Sequence, residues 1–274
     1  MSDIASDQTP VPGAELDIDR MPGHWLLARM GKRVLRPGGM ETTRELLGQL
    51  KIEASDEVVE FAPGLGSTAR MILAQSPRQY TGIERDEDAA LFTRKHLADQ
   101  PGIVVTAGSA EDTGLAGGSA TVVIGEAMLT MNNQAMKEQI VSEAFRILRP
   151  GGRYGIHELA LGPDGVSDEK IEEITGALVD AIRVGARPLR QQDWQAMMRK
   201  AGFEVEHFGT NPMHLLRPRR VIQDEGLIGA LKIARNIATN PAGRRRILGM
   251  RRVFTRYQAN LSAIYLILRK PGAD

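Results

Sequence analysis

Glu57-Val58-Val59-Glu60-Phe61-Ala62-Pro63-Gly64-Leu65-Gly66-Ser67 is the stretch whose reading decides the fold. Its first six residues form a short, largely apolar run of the kind that buried strands need. A proline and two glycines then break the run, and a helix is expected from Ser67. Gly64-Leu65-Gly66-Ser67-Thr68-Ala69 fits G-x-G-x-x-A at a strand-to-helix turn. Glycines there let a ligand approach the backbone. Glu84, twenty residues beyond Gly64, ends a second expected strand, Gln79–Glu84, where its carboxylate can accept both hydroxyls of a ribose.

Outward from this turn the pattern alternates. Helices are expected over 21–34, ended by Arg36-Pro37-Gly38-Gly39, and over Met40–Leu50. Downstream come a helix (86–100), strands (102–107 and 120–125), a helix (133–148), a strand (153–161), helices (168–184 and 192–201) and strands (203–208 and 263–268). Strands alternating with helices predict an α/β protein with a parallel sheet covered on both faces. Ligands of such sheets sit beyond the carboxyl ends of the strands, where the topology switches.

Two cofactor classes suit the glycine turn: a nicotinamide dinucleotide and S-adenosylmethionine. Glu60 separates them. A carboxylate at the end of the first strand would oppose a pyrophosphate, because like charges close together in a cleft repel. The same carboxylate would suit the ammonium and sulfonium of S-adenosylmethionine, which carries no phosphate.

Four segments in order now resemble the class I S-adenosylmethionine-dependent methyltransferases: Val58 to Gly66, Tyr80 to Asp86 (Tyr-Thr-Gly-Ile-Glu-Arg-Asp), Gly108 to Asp112 (Gly-Ser-Ala-Glu-Asp), and Arg146 to Gly152. The likeness runs from about Glu57 to Phe208. It is nearest to the small-molecule branch that includes ubiquinone and menaquinone biosynthesis enzymes. The resemblance implies a Rossmann-like, seven-stranded, mostly parallel sheet whose last strand is antiparallel. It implies that Glu60, Ala62, Pro63, Gly64 and Gly66 line the methionine part of the cofactor, with Gly125 nearby. Glu84 would hold the ribose, with Arg85 beside the adenine and Ser109, Ala110 and Glu111 touching it. Ala62 stands where the family usually has its first glycine, which implies a tighter loop. Ser109 replaces a common Asp, and its hydroxyl can still accept a hydrogen bond.

The resemblance also narrows the acceptor. The loop Gly125-Glu126-Ala127-Met128-Leu129-Thr130-Met131 lacks the Asn/Asp-Pro-Pro-aromatic motif of enzymes that methylate nucleobase and glutamine nitrogens. The chain has no cysteine, which excludes cysteine-dependent cytosine C5 and arsenite methylation. It also excludes disulfides and thiolate metal sites. Aromatic residues make up 4%, a poor basis for base stacking. A small, apolar acceptor is expected, with Met128, Leu129 and Met131 as candidate walls. Glu126 and His157 are the candidate general bases; the alternative for Glu126 is contact with the cofactor, and for His157 a packed ring bonded to backbone. Strand alternation allows only one of His157 and Glu158 to face the cleft. His24, His96, His207 and His214 show no metal-ligand spacing, so no metal is expected.

The net charge of +1 conceals a split. Residues 1–182 hold 17 Lys and Arg against 28 Asp and Glu; residues 183–274 hold 18 against 6. A plain class I core joins its last two strands by a short turn. Here residues 209–261 intervene as a basic insert. Residues 211–257 carry 11 Lys and Arg against Asp224 and Glu225 alone. Two helices are expected. Leu227, Leu231, Ala234 and Ala238 share one face of the first. Asn240-Pro241 starts the second, in which Ile247, Met250, Phe254, Tyr257 and Leu261 form a stripe. The insert is read as a lid packed on the core, or as an anionic membrane surface contact through residues 217–256.

The organisation expected is a mobile tail (1–19) and one domain. That domain comprises N-terminal helices (20–52), a cofactor-binding core (53–208), the insert and a last strand (262–270). No secretory signal is evident, and the expected compartment is cytoplasmic. The leading reading is methyl transfer from S-adenosylmethionine to a small, apolar molecule. The alternatives are an NAD(P)-dependent oxidoreductase and a non-catalytic cofactor- or nucleic-acid-binding protein that uses the insert.

Overall fold

The apolar runs pair into a single sheet. The computed structural model describes residues 11–98, 102–163 and 165–272. Its elements are α1 (Gly23–Arg29), α2 (Gly39–Leu50), β1 (Glu57–Phe61), α3 (Ser67–Leu73), β2 (Gln79–Glu84), α4 (Glu87–His96), β3 (Ile103–Ala107), β4 (Ala120–Glu126), α5 (Gln134–Ile147), β5 (Leu148–Leu161), α6 (Asp168–Ile182), β6 (Leu189–Arg190), α7 (Gln191–Lys200), β7 (Glu204–Pro212), α8 (Pro218–Thr239), α9 (Pro241–Arg256) and β8 (Leu261–Arg269). The main path of the sheet runs β3-β2-β1-β4-β5-β8-β7. β8 runs antiparallel to both of its neighbours, β5 and β7, and so against the rest of the sheet. The seven expected strands are all present. The two-residue β6 adds an unexpected eighth, pairing with Ala160 and Leu161 of β5 past the end of β4.

Strands β1, β2, β4 and β5 are covered on both faces, which is why they read as continuous apolar runs. Leu46 and Leu50 of α2 and Ile72 of α3 pack on Val58, Val122 and Ile124. On the opposite face, Phe61, Val123 and Tyr154 meet Ile140 of α5 and Trp194 of α7. A third cluster lies over the carboxyl end of β5. There Leu159 and Leu161 pack with Leu26 and Leu27 of α1, Ile174 and Leu178 of α6, and Ile247 and Met250 of α9. The caps follow local chemistry. Asp86, Asn133, Ser167 and Asn240 each accept a backbone N–H from the first turn of the helix that follows.

Three expectations change. Residues 1–10 of the expected mobile tail lie outside the described residues. Residues 11–20 are tied down rather than free: Arg246 donates to the Ile18 and Met21 carbonyls at 2.6 and 2.7 Å, and Arg29 donates to that of Leu16. The insert is shorter than 209–261, because β7 extends to Pro212 and β8 starts at Leu261. The stripe of α9 packs inward as expected, but the α8 stripe does not. Leu227 and Leu231 are 63% and 62% exposed, while Ile233 on the other side of the helix is buried.

Candidate functional site

Strand order reverses between β1 and β4, since β2 and β3 lie to one side of β1 and β5 to one side of β4. The loops leaving these two strands therefore diverge and leave a crevice. Each loop begins with an alanine held in the left-handed region, Ala62 (φ 53°) and Ala127 (φ 54°). Non-glycine residues resist this conformation by roughly 1–2 kcal/mol. Ala62 is held there by its N–H donating to the Ile83 carbonyl at 2.8 Å, and Ala127 by the His157 carbonyl at 2.7 Å.

The crevice opens into a cavity of about 240 Å³. Ala62, Pro63, Gly64 and Leu65 form one wall, and Glu84, Arg85, Gly108, Ala110 and Glu111 another. Glu84 is fixed by two backbone donors: Gly64 N–H to Oε2 at 2.9 Å and Asp86 N–H to Oε1 at 3.1 Å. Burial raises its pKa, and these bonds oppose the rise. The Thr93 hydroxyl pins the loop from behind through the Gly64 carbonyl, at 2.6 Å.

The remaining wall comes from the N-terminal segment, which folds over the cavity and contributes His24, Trp25, Arg33, Leu35 and Arg36. Arg36 Nε donates to Thr43 Oγ1 at 2.6 Å and lies 3.4 Å from Glu126 Oε2. Glu126, at the end of β4, also accepts from the Thr43 hydroxyl at 2.7 Å, from that of Thr68, and pairs with His157 Nδ1 at 2.7 Å. Burial pushes its pKa up. Arg36, His157 and Thr68 outweigh burial and hold the carboxyl at about 2. Glu126 is thus an anion near pH 7 on the cavity wall.

The segment is clamped from outside by the only two acids of the insert. Glu225 Oε1 accepts the Arg33 and Val34 N–H groups, both at 2.9 Å, and lies 3.3 Å from the buried Lys32 ammonium. Asp224 accepts the Met40 N–H at 3.0 Å. Its carboxylate comes so close that a Cβ on Gly39 would lie 2.5 Å from Oδ2.

A second, apolar chamber of about 70 Å³ adjoins the first. The two share His24, Leu35, Ala127, Met131 and Val184. Its remaining walls include Leu27, Leu159, Leu178, Met213, Met250 and Phe254, from α1, β5, α6, the insert and α9. His24 is the one titratable side chain on this chamber's wall. Burial lowers its pKa to about 4, against the pull of Asp86, so the imidazole is neutral near pH 7.

Of the candidate residues, Ala62, Pro63, Gly64, Glu84, Arg85, Ala110, Glu111 and Glu126 line one cavity. Five other anticipated residues do not border it. Glu60 lies beneath the loop and accepts the Tyr80 hydroxyl at 2.6 Å. Burial pushes its pKa to about 8, so the carboxyl is largely neutral. Gly66 turns the chain into α3, Ser109 bridges to Asp112, and Gly125 is buried inside β4. His157 is fully buried with both ring nitrogens engaged, Nδ1 on Glu126 and Nε2 on the Pro37 carbonyl at 2.6 Å. It cannot serve as a base for a ligand it does not meet.

Strand alternation allows at most one of His157 and Glu158 to face the cleft; neither lines the cavity, because β5 is covered on both sides there. Glu158 instead accepts the N–H groups of Met128, Leu129 and Thr130 and the Thr130 hydroxyl, which fixes the loop after β4. Met128 and Met131 do reach the cavity, while Leu129 is core. His24 and Arg36 escaped sequence reasoning. Arg36 stands in the Arg-Pro-Gly-Gly turn that ends the first helical region, and that turn was the one signal available for it.

The profile of a methyltransferase-domain family matches residues 58–152. An uncharacterized protein of Haemophilus influenzae is 33% identical over 217 residues, covering 78% of this chain and 84% of that protein. Phosphoethanolamine N-methyltransferase 2 of Haemonchus contortus, in complex with S-adenosyl-L-methionine, superposes with a TM-score of 0.68 at 15% identity, over 91% of this chain and 57% of that one. A geranyl diphosphate methyltransferase in complex with the same cofactor superposes with a TM-score of 0.62 at 14% identity, over 84% of each chain. Neither the dinucleotide nor the nucleic-acid reading is favoured by these matches.

Proposed function

Because this chain belongs to the class I S-adenosylmethionine-dependent methyltransferases, we propose that it methylates a small, apolar molecule held in the chamber beside the cofactor cavity. One observation carries the reading: the apolar chamber adjoins the cavity, and five residues line both.

The donor set of the cavity fits the cofactor. Glu84 presents a fixed carboxylate for two ribose hydroxyls. Pro63, Ile83 and Ala110 offer apolar surface for the adenine, with Arg85 and Glu111 at its edge. The turn from Ala62 to Gly66 would lie along the methionine part. Arg36 would pair with its carboxylate, and Glu126 would face the ammonium and sulfonium charge. That last role replaces the one expected of Glu60: a carboxyl kept ionised can stabilise a cation, whereas a largely neutral one cannot.

When bound, the cofactor supplies an electrophilic methyl group. The chain's own contribution is alignment and exclusion of water. Holding two reactants in near-attack geometry lowers the barrier by up to roughly 7–11 kcal/mol in well-oriented cases. Leu27, Met213, Met250 and Phe254 would place the acceptor, and Ala127 and Met131 would fix its distance. Where the acceptor atom carries a proton, His24 would be the neutral group in reach of it, lining both chambers, although burial makes its imidazole a weak base. Glu126, ionised by strong donors, is too weak a base for that task.

The experiment is to incubate the protein with methyl-labelled S-adenosylmethionine and fractionated cell extract. Label is expected in the organic-extractable small molecules. Label found only in protein, in nucleic acid or in water-soluble metabolites would overturn the reading.

A further inference from the structure

α8 is kinked at Gly226 (φ 72°, ψ 169°), and the kink changes what the helix shows to solvent. Before it, Asp224 and Glu225 turn inward onto residues 32–34 and Met40. After it, Ile233 is buried and Asn236 donates to the Met30 carbonyl at 3.0 Å, which seats that side on the domain. The other side carries Leu227, Ile228 and Leu231, of which Ile228 is 85% exposed. Ala234 and Ala238 continue the stripe and are also exposed. Three large aliphatic side chains in solvent on two adjoining turns are an unpartnered apolar surface.

Its surroundings are cationic. Lys232 and Arg235 stand beside the stripe, one helical turn from Ile228 and Leu231. Arg219, Arg244, Arg251 and Arg252 are exposed elsewhere on the insert. None of these six forms an ion pair among the described residues, whereas Arg220, Arg245 and Arg256 pair with Glu41, Asp19 and Glu173. The insert's two acids are spent on the clamp, so its outer face carries cations without anions.

We propose that the outer face of α8 after Gly226 docks on an anionic lipid surface, with Leu227, Ile228 and Leu231 entering the interfacial region and Lys232 and Arg235 meeting the headgroups. An apolar stripe flanked by cations is the composition that binds there. A second copy of the chain is the poorer occupant, because a symmetric contact through one patch would oppose like charges. The inference deepens the proposed function and rests on it for its purpose. Met250 and Phe254 of the same insert line the apolar chamber, so docking would place that chamber near a bilayer in which an apolar acceptor dissolves.

The test is co-sedimentation of the full chain with phosphatidylcholine vesicles, with and without about 30 mol% phosphatidylglycerol. No cofactor or acceptor is needed, so the result does not depend on the labelling experiment. Binding is expected only with the anionic lipid, and it should weaken with salt. Lys232→Gln and Arg235→Gln should each weaken it about fivefold. The triple variant Leu227→Gln, Ile228→Gln, Leu231→Gln should abolish it while the melting temperature is retained, since most of each side chain lies in solvent. No sedimentation of the wild type at low salt, or undiminished binding by the triple variant, overturns the proposal. So does a concentration-dependent dimer, lost in the triple variant, without vesicle binding; that outcome would assign the face to self-association.

Discussion

Replacing Glu225 with alanine removes one carboxylate oxygen that holds three donors: the backbone N–H groups of Arg33 and Val34 and the Lys32 ammonium. Lys32 and Val34 are buried, at 1% and 3% exposure, so neither donor can turn to water without opening the segment. Burial already pushes the Lys32 ammonium below the ordinary lysine range, with Glu225 and Asp224 opposing. The variant leaves that ammonium with Asp224 alone, at 3.6 Å. Breaking a buried pair from one side destabilises by about 3–5 kcal/mol. Hydrogen bonds to a charged acceptor contribute about 1.5–3 kcal/mol each but overlap with that figure. A loss of about 3–5 kcal/mol is therefore expected, against a typical total of about 5–15. At about 2–4 °C per kcal/mol for a chain of this size, melting should fall by roughly 6–20 °C. Amide exchange at Arg33 and Val34 should accelerate. Affinity for S-adenosylhomocysteine should fall, because Arg33, Leu35 and Arg36 border the cofactor cavity. Lys32→Met added to Glu225→Gln should recover part of the stability by removing the stranded charge. Melting within about 1 °C of wild type, with exchange at both amides unchanged, would refute the clamp.

Ala62→Gly should raise stability by about 1 kcal/mol in urea unfolding, since Ala62 sits at φ 53°; a loss would show that its methyl packing outweighs the strain. Between about pH 6.5 and 4 the unfolded chain binds a proton at His24 that the folded chain refuses, so stability falls as pH drops through that window. His24→Phe should flatten the melting temperature there; an unchanged slope counts against a buried neutral imidazole. Glu126 works in a lower window. With a folded pKa of about 2 against 4.5, its stabilisation is complete above pH 4.5 and is lost as pH falls toward 2. Glu126→Gln should weaken S-adenosylhomocysteine binding at pH 7 about tenfold or more in calorimetry, a change of about 1.4 kcal/mol; unaltered affinity would remove Glu126 from the cation site.

The turn from Ala62 to Gly66, the acid at position 84 and the alternation of strands and helices were legible because each is local. Buried strands need apolar runs, a crevice at the switch point needs small residues, and both leave their mark within a few positions. Which acid borders the cavity was not legible. Glu60 and Glu126 both stand near strand ends, and only the neighbours decide between them. The Tyr80 hydroxyl holds Glu60 on the face covered by α2 and α3, while Arg36, Thr43, Thr68 and His157 hold Glu126 ionised on the cavity wall.

By itself the sequence determined the order of elements, the sheet and the glycine turn, because periodicity and turn chemistry act over a single helix or strand. Tertiary structure alone decided where His24 and Arg36 arrive, since the N-terminal segment reaches the cavity only by folding across the sheet. It also decided which way α8 presents its stripe. Helical spacing shows that Leu227 and Leu231 share a face. Which side of the helix is seated depends on Glu225 gripping residues 32–34, almost two hundred positions away.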